Sequence, residues 1–385
     1  MRLLGSLSPL PSLLAVLAIA GTSAAAGSEG RAGLRLNELQ VIGTHNSYHR
    51  ETSEREQDAY DALISTPGDY DAFLKYSHAA LSQQLERQDA RGLELDLLPD
   101  PRGGLYAAPL VRRRLGLGPL PDPAWGRPGT KVLHIPDFDY DTTCVQLVTC
   151  LRQVQDWSRA HPEHVPIPIM LELKGSDDRA VALGGAAAPG WDRGALDTLD
   201  AEIRSVFGAG EMITPDDVRR PGETLERSVL DHGWPRLRDS RGQVLFLLDN
   251  EPGPIRDAYV AGRPNLEGRV VFTNSRPGLS DAAFVKRNEP RGSGTAEIAD
   301  LVRSGYFVRT RSDVPLQTVV ENDRSMLDAA LASGAQLIST DFPQISMSAR
   351  YDSDFVAALP GGGPARCNPV NAPPGCRGEG LERGR

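Results

Sequence analysis

Only four cysteines occur in 385 residues, and they fall as two local pairs, Cys144/Cys150 and Cys367/Cys376. Neither pair has the gap of roughly two to four residues that a zinc knuckle needs, so structural zinc is a poor fit. Three pairings are open in principle; local disulfides are the expectation, and they imply an oxidising compartment. Positive charge is also short. The formal net charge is −9 with no long basic tract, which makes nucleic acid a poor partner and offers no strong electrostatic docking on anionic membranes. Aromatics make up 6%, too few for the stacking platforms of a sugar-binding cleft. Nowhere is there an apolar stretch of the about 20 residues needed to span a bilayer. There is no glycine-rich phosphate loop after the first strand-like run, which removes the usual mark of a dinucleotide-binding open sheet, and no internal repeat.

What is present is enough for a large folded domain: 40% hydrophobic and 24% charged residues support a sizeable core. Residues 1–26 read as an export signal, with Arg2, the apolar run LLAVLAIA at 13–20, and the small residues Ala24, Ala25 and Ala26 as a cleavage site. Residues 27–360 read as one catalytic domain and 361–385 as a Gly/Pro-rich tail tied down by its cysteine pair. Eight short β-rich runs are bounded by turn signals, at 39–44, 92–97, 131–134, 167–174, 243–249, 269–274, 306–310 and 335–341. Helical patterns at 142–160, 192–207 and 321–333 lie between them. Alternation of this kind implies parallel strands joined by crossovers, and eight units suggest a closed α/β barrel of the (β/α)₈, TIM type. The Pro/Gly-rich stretch 99–130, with Arg112, Arg113 and Arg114, is a long insertion between strands two and three, either a lipid-facing flap or a solvated loop.

Polar residues collect at the C-terminal ends of these runs, where a barrel gathers its chemistry. Glu94 and Asp96 are two apart, so both face one side while Leu93, Leu95 and Leu97 face the other. Carboxylates turned into a barrel are costly unless a cation neutralises them. Glu172 and Lys174 repeat the spacing, either as part of the same site or as a self-satisfied pair. Asn46, Glu94, Asp96 and Glu172 offer hard oxygen and no sulfur, which favours Ca²⁺, and after it Mg²⁺, over zinc or copper. His45 and His134 can then serve neutral-pH proton transfer.

Taken in order, the segments LQVIGTHNSY (39–48), YSH (76–78), QL (84–85), ELD (94–96), VLHIPDFDY (132–140), WSRAHPEHVPIPIMLELK (157–174), 233–249 and GYFVRTRSD (305–313) resemble the secreted microbial calcium-dependent phosphoinositide phospholipase C family. The resemblance runs from about Leu36 to Pro343. It implies that His45 is the general base and His134 the general acid, that Asn46, Glu94, Asp96 and Glu172 hold Ca²⁺, and that Lys174, Arg309 and Arg311 contact the phosphate and headgroup. The implied substrate is a phosphoinositide lipid at a membrane or micelle surface, cleaved by a secreted, monomeric enzyme. One departure is visible: the gap between Gln84-Leu85 and Glu94 is one residue longer than the family pattern, and Asp89 stands near where a Gly is usual.

Other readings compete. A glycerophosphodiester phosphodiesterase uses the same barrel and a Glu-x-Asp pair, but here Asn46-Ser47 follows His45 rather than Arg-Gly. A metal-independent lyase would put an Arg where the carboxylates stand. A glycoside hydrolase would leave the two His and the Asn without a purpose. A non-catalytic binding protein would be expected to lose one of the six central positions, and none is lost. His49 and His78 read as supporting or surface residues, His161 and His164 as structural, His232 as a helix cap, and Asp249 and Asp341 as mouth carboxylates without an assigned role, hydrogen-bonded to Lys or Arg across the mouth.

Overall fold

A computed structural model of the chain describes residues 33–64, 68–378 and 380–382; the export signal expected at 1–26 lies outside them. Among the described residues eleven strands occur, β1 (Leu39–Thr44), β2 (Leu93–Leu98), β3 (Lys131–Val132), β4 (Ile167–Leu173), β5 (Met212–Ile213), β6 (Val244–Leu248), β7 (Val271–Thr273), β8 (Phe284–Lys286), β9 (Phe307–Arg311), β10 (Leu337–Thr340) and β11 (Arg366–Cys367). Two parallel runs form, β2-β4-β6-β7 and β8-β9-β10-β1. They join at two seams. At one, Thr44 N donates to Gly92 O at 3.0 Å and Arg91 N to Ile42 O at 2.8 Å. At the other, Asn274 bridges Phe284 in parallel and Ser275 N donates to Phe284 O at 3.1 Å. The result is a closed ring of parallel strands, a TIM-like α/β barrel.

The ring has eight members, but one is not the strand expected. Residues 131–134 form only the two-residue β3, which runs antiparallel to β2 with Leu97 opposite Val132 and Leu98 opposite Lys131. Strand direction is not written in a short apolar run. It follows here from the insertion, which reverses the chain and lays it back on β2, fixed by a buried Lys131–Asp100 ion pair at 3.0 Å. β2 pairs directly with β4, and the eighth member is β8, which enters between β7 and β9; its three residues, flanked by loop, are too short to carry a period.

Alternation sets what faces where. Leu93, Leu95 and Leu97 are fully buried in the main apolar cluster with Leu151 and Val154 of the helix Leu147–Ala160 and Leu196 of the helix Arg193–Val206. Glu94 and Asp96 therefore face the barrel interior. At the first seam the backbones come unusually close. A Cβ on Gly43 would lie 2.8 Å from Gly92 Cα and 2.6 Å from Leu337 Cδ1, so only glycine fits there. Asp89, in the turn before β2, takes a left-handed φ of 53°, a conformation that Gly adopts more readily.

The insertion is packed rather than loosely solvated. Tyr106, Leu110, Val111 and Trp125 join Tyr60, Tyr70, Phe138 and Tyr140 in a second apolar cluster, beside the hairpin that carries His134. The cysteines pair locally, Cys144 with Cys150 and Cys367 with Cys376. Among the described residues no helix is long and apolar enough to cross a membrane.

The tail has more anchors than its cysteines. β11 pairs antiparallel with β1, Leu381 is buried in the main core, and the Glu382 carboxylate grips the fully buried Arg91 guanidinium with both oxygens. Arg91 also lies 4.7 Å over the Trp157 ring. Breaking a buried pair by removing one partner costs about 3–5 kcal/mol because the other charge stays behind. Glu382→Ala is thus expected to lower the thermal midpoint by several degrees in a calorimetric scan. An unchanged midpoint would show the tail to be a passive cover.

Candidate active site

Register assembles the site. In the β2–β4 pairing Asp96 stands directly opposite Glu172, and Glu94 lies one pleat below on the same face. One carboxylate oxygen from each of Glu94, Asp96 and Glu172 lies within 4.8 Å of the others. Calcium–oxygen bonds are about 2.3–2.6 Å, so ligands of one ion sit within about 5 Å of each other. The trio meets that limit.

The chemistry of the donors agrees. Asn46 Oδ1 and both Asp96 oxygens are buried without a well-formed hydrogen bond, although Lys174 Nζ lies 3.1 Å from Asp96 Oδ2. Burial pushes the Glu94 carboxyl up to about 7, against the nearby Arg309 charge, which lowers it. Burial likewise drives Asp96 well above the usual carboxylate range, with Lys174 opposing and Glu172 and Glu94 adding to the rise. Crowded, half-neutralised carboxylates of this kind are what a hard divalent cation relieves, so these residues fit Ca²⁺.

Asn46 is delivered by a tight turn after β1 and has φ 45°, a left-handed conformation that Asn tolerates. The turn is locked from three sides. Ser47 N donates to Glu94 O at 2.9 Å, Glu94 N donates to Ser47 Oγ at 2.8 Å, and the Gln84 amide donates to Ser47 O at 2.6 Å. Asn46 Nδ2 donates to the Tyr76 hydroxyl at 3.2 Å.

Both histidines are held the same way. The register Thr44 opposite Thr340 sets His45 beside Asp341, and His45 Nδ1 lies 2.9 Å from Asp341 Oδ1. His134 Nδ1 lies 2.8 Å from Asp139 Oδ2 in its own hairpin. Each ring keeps 16% of its side-chain surface open, enough to meet a ligand. With Nδ1 engaged, Nε2 is the nitrogen left for exchange in each ring; His45 Nε2 lies 3.4 Å from Glu94 Oε1. Burial pushes His45 down to about 3, helped by the Arg311 charge and opposed by Asp341, so the ring is neutral at pH 7. His134 is also lowered by burial, against Asp139. Burial would raise Asp139, but His49 and His134 outweigh it and hold the carboxyl below its usual range.

The three basic residues expected at the phosphate and headgroup are all at the mouth, each already paired. Lys174 Nζ sits 3.0 Å from Glu172 and 3.1 Å from Asp96. Arg309 is buried, donating to Glu94 at 2.8 Å, to Ser339 Oγ at 2.9 Å and to Asn288. Arg311 lies 3.2 Å from Asp341 and 3.9 Å from Asp313. Lys286, on the unexpected β8, pairs with Asp249 at 2.8 Å and Glu251 at 3.2 Å.

Sequence reasoning gave Asp249 and Asp341 a Lys or Arg across the mouth as partner, which Lys286 and Arg311 supply, but it did not place Asp341 on His45 and left Asp139 unassigned. The signal for Asp139 was available, five residues after His134 in one motif. Asp341 is 296 residues from His45, and only the closure of the barrel joins them. His49 and His78 are buried rather than on the surface; His78 Nε2 lies 2.9 Å from His45 O. His161 stacks on Trp157 at 4.3 Å and His164 bonds Ser158 at 2.7 Å, both structural. His232 ends the helix Leu225–His232 and pairs with Glu223 at 3.1 Å.

Against known proteins, a family model described as "Phosphoinositide phospholipase C, Ca2+-dependent" matches residues 34–369. Among solved structures the chain is similar to an apo calcium-dependent phosphoinositol-specific phospholipase C from Pseudomonas sp. The TM-score is 0.53 and the identity 18%, over 88% of this chain and 96% of that one. It is also similar to a Ca²⁺-dependent phosphatidylinositol-specific phospholipase C from Streptomyces antibioticus, with a TM-score of 0.50 and 17% identity over 82% and 97%. At such identity the likeness is one of fold. No curated protein matches the chain in sequence.

Proposed function

The chain belongs to the Ca²⁺-dependent phosphoinositide phospholipase C family, and from that premise we propose that the barrel mouth cleaves phosphatidylinositol-type lipids to diacylglycerol and a cyclic inositol phosphate. The observation that carries the reading is the pair of histidines, each with Nδ1 on its own buried carboxylate, placed around three carboxylates gathered to ion-binding distance. Asn46, Glu94, Asp96 and Glu172 would hold the calcium. When bound, the ion supplies positive charge to the attacking hydroxyl and to the phosphoryl oxygens.

The protein's own groups move the protons. Asp341 keeps His45 protonated at Nδ1, so Nε2 is the base that takes the proton of the inositol 2-hydroxyl. That oxygen attacks phosphorus, the 1,2-cyclic diester forms, and the bond to the diacylglycerol oxygen breaks. His134, in its doubly protonated form with the Nδ1–H held by Asp139, gives its Nε2 proton to the departing oxygen and is left neutral. Lys174 and Arg311, both partly open, are the cations placed to meet phosphate oxygens; Arg309, buried on Glu94, orients that carboxylate. The local disulfides support export, and the substrate would be met at a membrane or micelle surface by a secreted monomer.

Charge balance points to the lipid. Four described cations at the mouth, Lys174, Lys286, Arg309 and Arg311, each already have a carboxylate partner, which leaves them little positive charge for further ring phosphates. In a mixed-micelle assay, phosphatidylinositol is expected to turn over at least about tenfold faster than its 4,5-bisphosphate, the discrimination that roughly 1.4 kcal/mol provides. Preference for the bisphosphate would refute the charge argument. Cleavage of deacylated glycerophosphoinositol in place of the diacyl lipid would instead support a glycerophosphodiester phosphodiesterase.

A further inference from the structure

His49 is spent on neither the substrate nor the carboxylate trio, yet it is built into the site. The loop after β1 runs antiparallel to the segment that follows the His134 hairpin. His49 bridges Thr142, Thr143 N donates to Tyr48 O at 2.8 Å, and Arg50 N donates to Asp141 O at 3.2 Å. This pairing carries the His49 ring, fully buried, onto the Tyr76 ring at 4.6 Å and edge-on to His134 at 6.0 Å.

The ring meets the carboxylate that holds His134. Asp139 Oδ2 lies 2.8 Å from His49 Nε2 and 2.8 Å from His134 Nδ1, while Oδ1 accepts the Tyr70 hydroxyl at 3.0 Å. An ionised carboxylate only accepts, so both rings donate to the same oxygen and the tyrosine fixes the other. Asp139 then has one orientation, and the His134 ring is held with Nδ1 on that carboxylate and Nε2 left for exchange. Burial alone would push the His49 imidazole down, but Asp139 outweighs it and holds the ring up, which keeps the donor in place.

We infer that His49 is a positioning residue for the proposed general acid, clamping the Asp139 carboxylate that orients His134. The inference rests on the reading of His134 as the acid. Being fully buried, His49 does not meet the substrate itself, and its ring hydrogen bond is to Asp139. The alternative is that its ring merely fills space beside Tyr76.

Leaving-group chemistry separates these. Diacylglycerol oxygen needs a proton as it departs, whereas 4-nitrophenolate does not. His49→Phe keeps the ring's bulk and removes the donor; His49→Gln keeps a donor at similar reach. With Ca²⁺ saturating, His49→Phe is expected to lower kcat on phosphatidylinositol by roughly 10–100-fold, the range for groups that orient a working imidazole. On the 4-nitrophenyl ester of inositol 1-phosphate it should stay within a few-fold of wild type, and His49→Gln should recover most of the lipid rate. Equal losses on both substrates, or no loss on the lipid, would overturn the inference. His134→Ala is the control on the underlying reading. If it too falls equally on both substrates, the assignment of His134 as the acid fails, and the role of His49 falls with it. If it alone shows the lipid-selective loss, only the role of His49 is wrong.

Discussion

His45→Ala is expected to reduce kcat on phosphatidylinositol by roughly 10²–10⁴-fold, the usual contribution of a positioned base, with little change in calcium-induced stabilisation. Three features lead to this. His45 lies one residue past β1, at the mouth, with a partly open ring. Burial holds it neutral at pH 7, pushed down to about 3, and a base must be neutral to act. Asp341 accepts at Nδ1, leaving Nε2 for the substrate. Asp341→Asn should follow in the same direction, because an amide can present its NH₂ to Nδ1 and favour the wrong tautomer. Steady-state kinetics on both variants check this; a His45→Ala rate within tenfold of wild type would remove His45 from the chemistry.

The second large effect concerns Asp96, and it has opposite signs for activity and for stability. Asp96→Asn removes a carboxylate central to the trio, so the calcium-dependent rate should fall roughly 10²–10⁴-fold, given that a metal's charge stabilisation is worth several kcal/mol. Yet in the calcium-free protein Asp96 is a fully buried acid crowded by Glu94 and Glu172, with its pKa driven up by burial. Neutralising it relieves that crowding. The thermal midpoint in chelator should therefore stay level or rise, while the increase that calcium gives to the wild-type protein disappears. Melting curves with and without calcium decide it. A variant that keeps its calcium shift would show Asp96 to be a structural acid.

The sequence was most readable where chemistry and period coincide. Glu94 and Asp96 at spacing two, between buried leucines, can face only inward, and β1, β2, β4 and β6 are apolar runs long enough to recognise. The direction of β3 was not readable, because nothing in 131–134 distinguishes a parallel strand from a returning edge; the insertion before it decides. β8 was missed for its brevity, and with it Lys286. Contacts made by barrel closure were also out of reach. Arg309 on Glu94, Asp341 on His45 and Glu382 on Arg91 each join residues more than 200 apart in the chain. The resemblance put Lys174, Arg309 and Arg311 at the phosphate and headgroup, and the structure pairs each of them with a carboxylate at the mouth.

Phosphorus NMR of the purified protein with phosphatidylinositol, in added Ca²⁺ and again in excess chelator, tests the central claim most directly. The account predicts a cyclic inositol phosphate resonance that grows only when calcium is present. Turnover that ignores the chelator would return Glu94, Asp96 and Glu172 to structural roles, and an inert lipid in both samples would contradict the proposed reaction itself.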